Sequence, residues 1–362
     1  MTRRLFSGAA RSLGPIVAAL VTASILLAAL GKNPFAFFGD VLRFGLLGSG
    51  WQGSLTLLAP LLLVGLGLLV AFRAKLWNLG YDGQFLLAAT LVAGFGPELT
   101  RVLPYPLAVL ALVLIGAGSA AAWGLLPALL RAFSGTNEIV TTLMMSFIGV
   151  GVANLLVKGV FQDPTVSTPQ TRVLPSAQLL PFLPGTAVHV GLLLALLAAI
   201  VVHVLSSRAP FGARVNAFGA NPRAAAAAGV SGPRVIIGTL LLSGALIGLA
   251  AAVDVLGVWG YVRSDWNPGY GQAVLPFVFL ARLRPLPAIP FVFSYAVLAT
   301  GGTMAAQRSG LSVDFLLVIV ALILVFMAVI EMLGERRALG QRYLPEGLRE
   351  RVRSLTRRGG SR

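Results

Sequence analysis

The sequence contains no cysteine, only 2 histidines and only 12 acidic residues in a chain of 362. Without cysteine the chain has no disulfide framework and no cysteine-ligated metal site. The two histidines, His189 and His203, fall near opposite ends of one apolar segment, too far apart to share a metal ion. No G-x-x-x-x-G-K-[ST] string and no serine, histidine and aspartate set is present. We therefore predict that the chain is not an enzyme and that it binds no metal or cofactor itself.

Charged residues make up only 11% of the chain, and 57% of it is hydrophobic. A soluble domain carries roughly a quarter charged residues, so lipid is the expected surrounding for most of this chain. Glycine (42 residues) and proline (21 residues) are abundant. In a membrane bundle glycine permits close helix approach, and proline marks places where helices break. The composition predicts an all-α polytopic membrane protein.

Apolar runs separated by polar loops divide the chain into about ten predicted transmembrane helices. Residues 34–50 have the pattern of an amphipathic interfacial segment, and residues 158–186 form a long proline-rich loop. The spans belong to one predicted transmembrane domain, residues 1–333, which is followed by a basic cytoplasmic tail, residues 334–362. The predicted spans cover residues about 14–30, 54–72, 83–96, 104–130, 138–157, 187–206, 235–257, 271–281, 286–304 and 312–333.

The distribution of positive charge predicts how this bundle is oriented. The formal net charge is +16, and if the N-terminus is cytoplasmic, 21 of the 28 basic residues fall on the cytoplasmic side. An excess of lysine and arginine is typical of cytoplasmic loops. We therefore predict that both termini are cytoplasmic. The charge is interpreted as a topology signal that also attracts anionic lipid, and not as a nucleic-acid surface.

Two of the predicted spans are short and follow similar polar strings. Asn78-Leu-Gly-Tyr-Asp-Gly-Gln84 precedes the third span, and Asn267-Pro-Gly-Tyr-Gly-Gln272 precedes the eighth. In the predicted topology the first string enters from the cytoplasm and the second from outside, as an inverted repeat requires. Paired short spans that are interrupted by glycine and proline point to a transport site. The alternative is a chance similarity in a glycine-rich chain.

Polar side chains within or beside the spans are candidates for a translocation path. Asp254 stands alone in an apolar run. A carboxylate at such a position is a functional candidate, and the alternative is a structural hydrogen bond near the outer interface. Asp82 and Glu138 begin predicted helices, where capping alone is an alternative explanation. Thr142 and Ser243 are further polar groups at depth. The candidate path residues are Asn78, Asp82, Gln84, Asn137, Glu138, Thr141, Ser146, Asn154, Asp254 and Gln272.

The polar break Arg208–Arg234 lies between the sixth and seventh spans and contains four arginines and no acid. Asn221 stands where a helix cap belongs, Pro222 at the first helical position and Gly229 just past the end. These residues predict a short helix over residues 222–228. A basic, capped helix between two spans suggests a docking element on the cytoplasmic face. Its candidate contact and capping residues are Arg214, Asn221, Pro222, Arg223 and Gly229.

Three strings, in order along the chain, carry a family resemblance. Residues 72–84 read FRAKLWNLGYDGQ, residues 135–144 read GTNEIVTTLM, and residues 217–229 are followed by LSGALIGLA at residues 242–250. Together they resemble the strings of permease subunits of ATP-binding-cassette (ABC) importers, in the branch that includes ribose, branched-chain amino acid and nucleoside permeases. The NLGYDGQ string favours the nucleoside and simple-sugar members of that family.

The chain departs from the usual family strings at a few positions. Tyr81 and Asp82 stand where alanine and glutamate are usual, and Asp254 stands where glutamate is common. At both acidic positions the chain therefore retains an acid, with aspartate in place of glutamate. Arg223 replaces a common glutamate, which makes the predicted docking helix more basic than is usual.

The resemblance implies the permease subunit of an importer for nucleosides or related sugar-containing solutes, in a bacterial or archaeal cell membrane. It implies cytoplasmic ATPase subunits that bind ATP and magnesium, a second permease subunit, identical or different, and an extracytoplasmic solute-binding protein. It also implies that Arg208–Arg234 contains a coupling helix. The alternatives are a monosaccharide or branched-chain amino acid permease, an autonomous ion-coupled transporter or channel, and a membrane enzyme acting on lipid-linked sugars.

Overall fold

A computed structural model of the chain describes the backbone of residues 2–338 and the side chains of residues 13–333. In this described part the chain forms thirteen α-helices and no strand. A single π-helical turn, Val255–Trp259, follows the tenth helix, and a 3₁₀ turn lies at Ser176–Gln178. The helices are α1 (Thr2–Ala29), α2 (Pro34–Gly45), α3 (Gly50–Arg73), α4 (Tyr81–Val102), α5 (Tyr105–Ser134), α6 (Glu138–Lys158), α7 (Gly191–Ser207), α8 (Pro210–Ala220), α9 (Pro222–Ala227), α10 (Gly232–Asp254), α11 (Tyr270–Leu280), α12 (Pro285–Arg308) and α13 (Phe315–Ala338).

Each predicted span coincides with a helix, but the helices differ in length. Seven of the described helices are long and apolar enough to cross a membrane, and the number is eight if the bent pair α7 and α8 counts as one span. Two shorter apolar helices, Leu13–Ala29 and Tyr270–Leu280, coincide with the first and eighth predicted spans. The count of ten, the cytoplasmic termini and the inverted repeat stay predictions. Most of the predicted tail, residues 339–362, lies outside the described residues.

The chain divides into two compact units, of which the smaller is made of the first and last helices. In that unit α1 packs against α13, and a Cβ added at Gly14 would lie 3.2 Å from Cδ1 of Ile330. The larger unit, Phe35–Leu316, contains α2 to α12. All of the candidate site residues lie in this larger unit.

Helices α3 and α10 form the centre of the larger unit. In α3, 83% of the most apolar stretch is buried, compared with 22% in α5 and in α6. Helix α10 packs most extensively on α5 and then on α3. Gly244 and Gly248 bring α10 into backbone contact with α5, because a side chain at either position would overlap the backbone of Ala120 or Gly116. Small residues at a four-residue spacing allow this approach.

The outer faces of α5 and α6 carry exposed apolar side chains. On α5, Leu107, Leu110 and Leu114 are exposed at three- and four-residue spacing, so they lie along one face of the helix. On α6, Phe147 and Leu155 are exposed in the same way. Such faces fit contact with lipid or with another apolar protein surface.

The segment between α6 and α7 is irregular and is held against the segment that follows α10. Backbone N–H groups of Thr171, Leu174 and Leu180 donate to carbonyl oxygens in residues 256–262, at 2.8–2.9 Å. At its exposed start, hydrogen bonds from the hydroxyl and backbone N–H of Thr165 hold the pKa of Asp163 below its usual range. Hydrogen bonds to residues 256–262 therefore hold the predicted proline-rich loop in place.

Candidate functional site

The chain between α3 and α4, residues 74–80, is non-helical, and it leads from the exposed side chain of Lys75 to the fully buried side chain of Asn78. Asn78 Nδ2 donates to Oγ of Ser243 at 2.9 Å. Ser243 is eleven residues beyond the first residue of α10, Gly232, which places it about 16 Å along that helix. Non-helical backbone at such a depth is tolerated only where protein or a polar cavity satisfies it. Asn78, the first residue of the first polar string, therefore lies beside the middle of α10.

Asn78, Gln84 and Ser243 form a hydrogen-bonded group that we call the Asn78 cluster. Each of the three side chains is buried. Nδ2 of Asn78 also donates to Oε1 of Gln84 at 3.0 Å, and its Oδ1 accepts from the backbone N–H of Gly80 at 3.1 Å. The side-chain amide of Asn78 therefore uses both its donor and its acceptor to hold the non-helical segment in place. Ser243 is a member that sequence analysis noted only as a polar group at depth.

Two hydroxyl groups on α6 satisfy further backbone groups of the break. Oγ1 of Thr142 accepts from the N–H of Leu79 at 3.1 Å, and Oγ of Ser146 accepts from the N–H of Gly83 at 3.1 Å. Gly83 lies directly on α6, since a Cβ there would be 2.6 Å from the carbonyl oxygen of Ser146. Nε1 of Trp123, on α5, donates to the α6 backbone at 2.9 Å. Helices α4, α5 and α6 are thus tied together around the first string.

The two similar strings are in contact with each other. The ring of Tyr81, in the first string, packs on Gly271 of the second, where a Cβ would overlap the ring. The side chain of Asn267, in the second string, lies near the Asp82 carboxylate. Asp82 is only partly buried. The sequence similarity therefore corresponds to a spatial contact between α4 and the start of α11.

Asp254 is buried at the end of α10, and its carboxylate has a hydrogen-bond partner. The hydroxyl of Tyr270 donates to its carboxylate, at 3.2 and 3.3 Å from the two oxygens. The side chain of Trp259 also lies near this carboxylate. The π-helical turn begins at the next residue, and such turns are frequent at functional positions. The hydrogen bond agrees with the structural interpretation of Asp254, and its partner Tyr270 had not been predicted.

The remaining candidate residues do not join the Asn78 cluster. Glu138 is buried and pairs with Arg131 at 3.2 Å, and Asn137 caps α6 by accepting from the N–H of Ile139. Oγ1 of Thr141 bonds only within its own helix. The capping interpretation of this end of α6 agrees with that geometry.

Two candidates lie farther along the chain. Oδ1 of Asn154 accepts from the backbone N–H of Asp265 at 2.7 Å, beside the Lys158–Asp265 ion pair. Gln272 is exposed on the first turn of α11. The structure therefore brings neither of these side chains to the Asn78 cluster, although Gln272 adjoins the contact between the two strings.

The basic break forms two short helices, α8 and α9, which we call the docking pair. Asn221 caps α9 as predicted, because its Oδ1 accepts from the N–H groups of Arg223 and Ala224 at 3.0 and 3.1 Å. The helix ends at Ala227, one residue earlier than predicted, and Gly229 follows with φ +82°. The candidate contacts Arg214 and Arg223 are exposed.

Helix α8 had not been predicted. It turns 67° from α7, so it does not continue the direction of that helix. Its apolar side chain Val215 is buried in a cluster with Ala74 and Leu76 of the α3–α4 break and Ile236 of α10. Two residues after Leu76 comes Asn78. The docking pair therefore packs on the same stretch of backbone that the Asn78 cluster closes.

Comparison with known proteins identifies the family. Residues 51–328 match the family described as branched-chain amino acid transport system / permease component. A glucose ABC transporter permease protein of Haloferax volcanii is 31% identical over 325 residues, which is 86% of this chain and 85% of that protein. A nucleoside ABC transporter permease protein of Lactococcus lactis is 27% identical over 87% of this chain and 89% of its own length.

A guanosine ABC transporter permease protein of Bacillus subtilis is 27% identical over 75% of this chain and 78% of its own length. No solved structure matches the chain. The family match covers the α3–α4 break, the contact between the two strings and the docking pair. This chain belongs to the family of permease components of branched-chain amino acid-type transport systems and is a multi-pass membrane protein.

Proposed function

We propose that the chain is the permease subunit of an ATP-driven ABC importer and provides the path for nucleosides or related sugar-containing solutes. Relatives of this chain are named as permeases for glucose, nucleosides and guanosine. These solutes share hydroxyl groups and, in two of the three cases, a sugar attached to a base. The absence of a phosphate-binding string agrees with ATP and magnesium being bound by a separate subunit.

The observation that carries the proposal is the packing of the docking pair onto the α3–α4 break. Force applied to α8 by an ATPase reaches Ala74 and Leu76 through the buried side chain of Val215. From there the backbone leads within two residues to Asn78 and its bond to α10. Packed elements transmit a displacement as a shift of whole helices, because a close-packed core does not deform continuously.

We place the solute path beside the contact between the two strings, and not inside the Asn78 cluster. Members of that cluster use their polar atoms on one another and on backbone groups, so they maintain the break. Asp82 is partly exposed and Asn267 is exposed next to it, and Gln272 is exposed on the first turn of α11. Amide and carboxylate groups at such positions suit a solute that presents hydroxyl groups.

The proposal includes partners on both sides of the membrane. Cytoplasmic ATPase subunits contact the docking pair, and a second permease subunit, identical or different, completes the path. An extracytoplasmic binding protein delivers the solute to the segment between α6 and α7. Hydrogen bonds to residues 256–262 hold this segment in place, so it offers a rigid contact surface. The exposed apolar faces of α5 and α6 are available to lipid and to the second permease.

The test is solute uptake by proteoliposomes that contain the purified complex with ATP supplied to the ATPase side. Uridine, adenosine, ribose, glucose and leucine form the panel, and the cognate binding protein is added outside. We expect ATP-dependent uptake of nucleosides or of a sugar, and none of leucine. Uptake by the chain alone without an ATPase would refute the importer. Transport of leucine only would refute the solute class and leave the importer intact.

The path assignment has its own test. Asp82→Asn and Gln272→Ala should lower the maximal uptake rate or shift the solute concentration for half-maximal uptake, with the ATPase still bound. The matched control is Ser119→Ala, because that residue is not a path candidate and its hydroxyl bonds only to a carbonyl oxygen of its own helix. If both variants transport as Ser119→Ala does, the path lies elsewhere.

A further inference from the structure

Beside the docking pair lies an open hollow of about 380 Å³ that we call the cationic hollow. Its lining includes four basic side chains: Arg73 at the end of α3, Lys75 in the α3–α4 break, and Arg282 and Arg284 in the turn between α11 and α12. None of the described residues that line it is acidic. The remaining wall is formed by α8, including Asn216, which connects the hollow to the docking pair.

The positive charges of the hollow are held together in spite of their repulsion. Arg73 and Arg284 are near enough for their charges to repel each other. Nε of Arg73 donates to Oδ1 of Asn216 at 3.2 Å, and its other nitrogen reaches the backbone carbonyl of Ser206. Neither partner carries a negative charge, so these bonds fix the guanidinium without neutralising it.

The backbone on both sides of the hollow is held in an unfavourable conformation. Lys75, Arg282 and Leu283 have φ values of 53–54°, and only one other non-glycine residue in the described chain, Asp265, has a positive φ. The left-handed region is unfavourable for a residue other than glycine, which persists there only where the surroundings impose it. Strain of this kind clusters at binding sites, and here it coincides with the concentration of charge.

We propose that the cationic hollow receives a carboxylate side chain of the ATPase subunit, as a second contact beside the α8–α9 surface. The inference rests on the proposed function, because it needs an ATPase at the docking pair. Helix α8 forms one wall of the hollow, so the hollow adjoins the docking pair. A carboxylate there pairs with cations on two turns, one before α4 and one before α12, and so couples both to the ATPase.

The chain offers a direct chemical test. Its three lysines are Lys32, Lys75 and Lys158, and in the predicted topology only Lys75 faces the cytoplasm. Carbodiimide joins a lysine amine to a carboxylate in contact with it without adding a spacer. In the assembled complex we expect a crosslink from Lys75 to an aspartate or glutamate of the ATPase. The Lys158–Asp265 pair, at 3.1 Å, is the internal control, and Lys75→Arg should lose the intermolecular crosslink alone.

Charge reversal at the lining residues provides a second test of the proposal. Lys75→Glu and Arg284→Glu should each weaken ATPase binding about tenfold or more, measured with purified complex in neutral-lipid nanodiscs. Arg11→Glu is the matched control, since it makes the same charge change on the same predicted face, outside both the hollow and Arg208–Arg234. If the reversed variants bind as Arg11→Glu does, or if the internal crosslink forms without one at Lys75, the proposal is wrong.

Three further outcomes are distinguishable. Loss of ATPase binding in Arg214→Glu/Arg223→Glu, with normal binding in both hollow variants, would overturn the hollow assignment and leave the importer function standing. An anionic lipid retained by the wild type and lost from Arg284→Glu in native mass spectrometry, without a crosslink, would identify the hollow as a lipid site and likewise overturn the proposal. If the wild-type complex contains no ATPase, the proposed function itself fails.

Discussion

Replacing Asn78 with alanine tests whether the Asn78 cluster holds the α3–α4 break in place. The change removes two donated bonds, to Gln84 and Ser243, and the acceptor of the Gly80 N–H. Side-chain hydrogen bonds between membrane helices contribute about 0.6 kcal/mol each on average. A buried N–H left without a partner costs about 1–3 kcal/mol. We therefore expect Asn78→Ala to lower the free energy of unfolding by about 2–4 kcal/mol.

The assay is reversible unfolding in mixed micelles with increasing sodium dodecyl sulfate. Ser119→Ala is the control, because that hydroxyl bonds only to a carbonyl oxygen of its own helix at 3.1 Å. Ser243→Ala removes one bond and should lose about 0.6 kcal/mol. The double variant Asn78→Ala/Ser243→Ala should then lose less than the sum of the single losses, since the two side chains contact each other.

The result that refutes this reasoning is specific. If Asn78→Ala unfolds at the same detergent fraction as Ser119→Ala, the break is maintained by something other than this amide. If the double variant shows the full sum of both losses, Asn78 and Ser243 do not interact.

Three further predictions follow from single contacts. Gly83→Ala places a methyl group against the α6 backbone and should lower the free energy of unfolding by about 1–3 kcal/mol in the same assay. The control Gly118→Ala, with nothing within 4 Å of the added Cβ, should be neutral or stabilising. Equal effects of the two changes would contradict the close contact. Asn221→Ala removes the cap of α9 and should lower the free energy of unfolding by about 1 kcal/mol. It should also weaken ATPase binding, and Asn221→Asp should restore that binding. Identical binding by both variants would show that the cap is irrelevant to docking. Tyr270→Phe removes the donor to Asp254 and should lower the free energy of unfolding by about 1–3 kcal/mol, and unchanged stability would show that the buried carboxylate does not depend on this hydroxyl.

The sequence predicted the helices well because long apolar runs alternate with polar loops in this chain. It missed α8, whose sequence PFGARVNAFGA contains two glycines and has little intrinsic helix preference. That helix is stabilised by tertiary packing, since Val215 is buried in the cluster formed with the α3–α4 break. A single sequence does not reveal such support, because the partner residues lie far away along the chain.

The candidate site was predicted in part for the same reason. Polar residues within apolar runs are visible in a sequence, so Asn78, Gln84 and Ser146 were identified. Their partners are not visible: Ser243 is 165 residues from Asn78, and Tyr270 is 16 residues from Asp254. Asn154 and Gln272 were included on residue type alone, and their side chains lie outside the cluster.

The long separation between Asn78 and Ser243 also affects how the protein is made. At about 5–20 residues per second, synthesis takes roughly 8–33 s to proceed from one residue to the other. The α6 hydroxyls, some 63 residues after their partners, arrive earlier and satisfy the backbone of the break first. Until α10 is inserted, however, the Asn78 amide has no acceptor on that helix. The nascent chain must therefore hold this segment away from lipid tails during that interval, and the order in which helices enter the membrane becomes part of the folding problem.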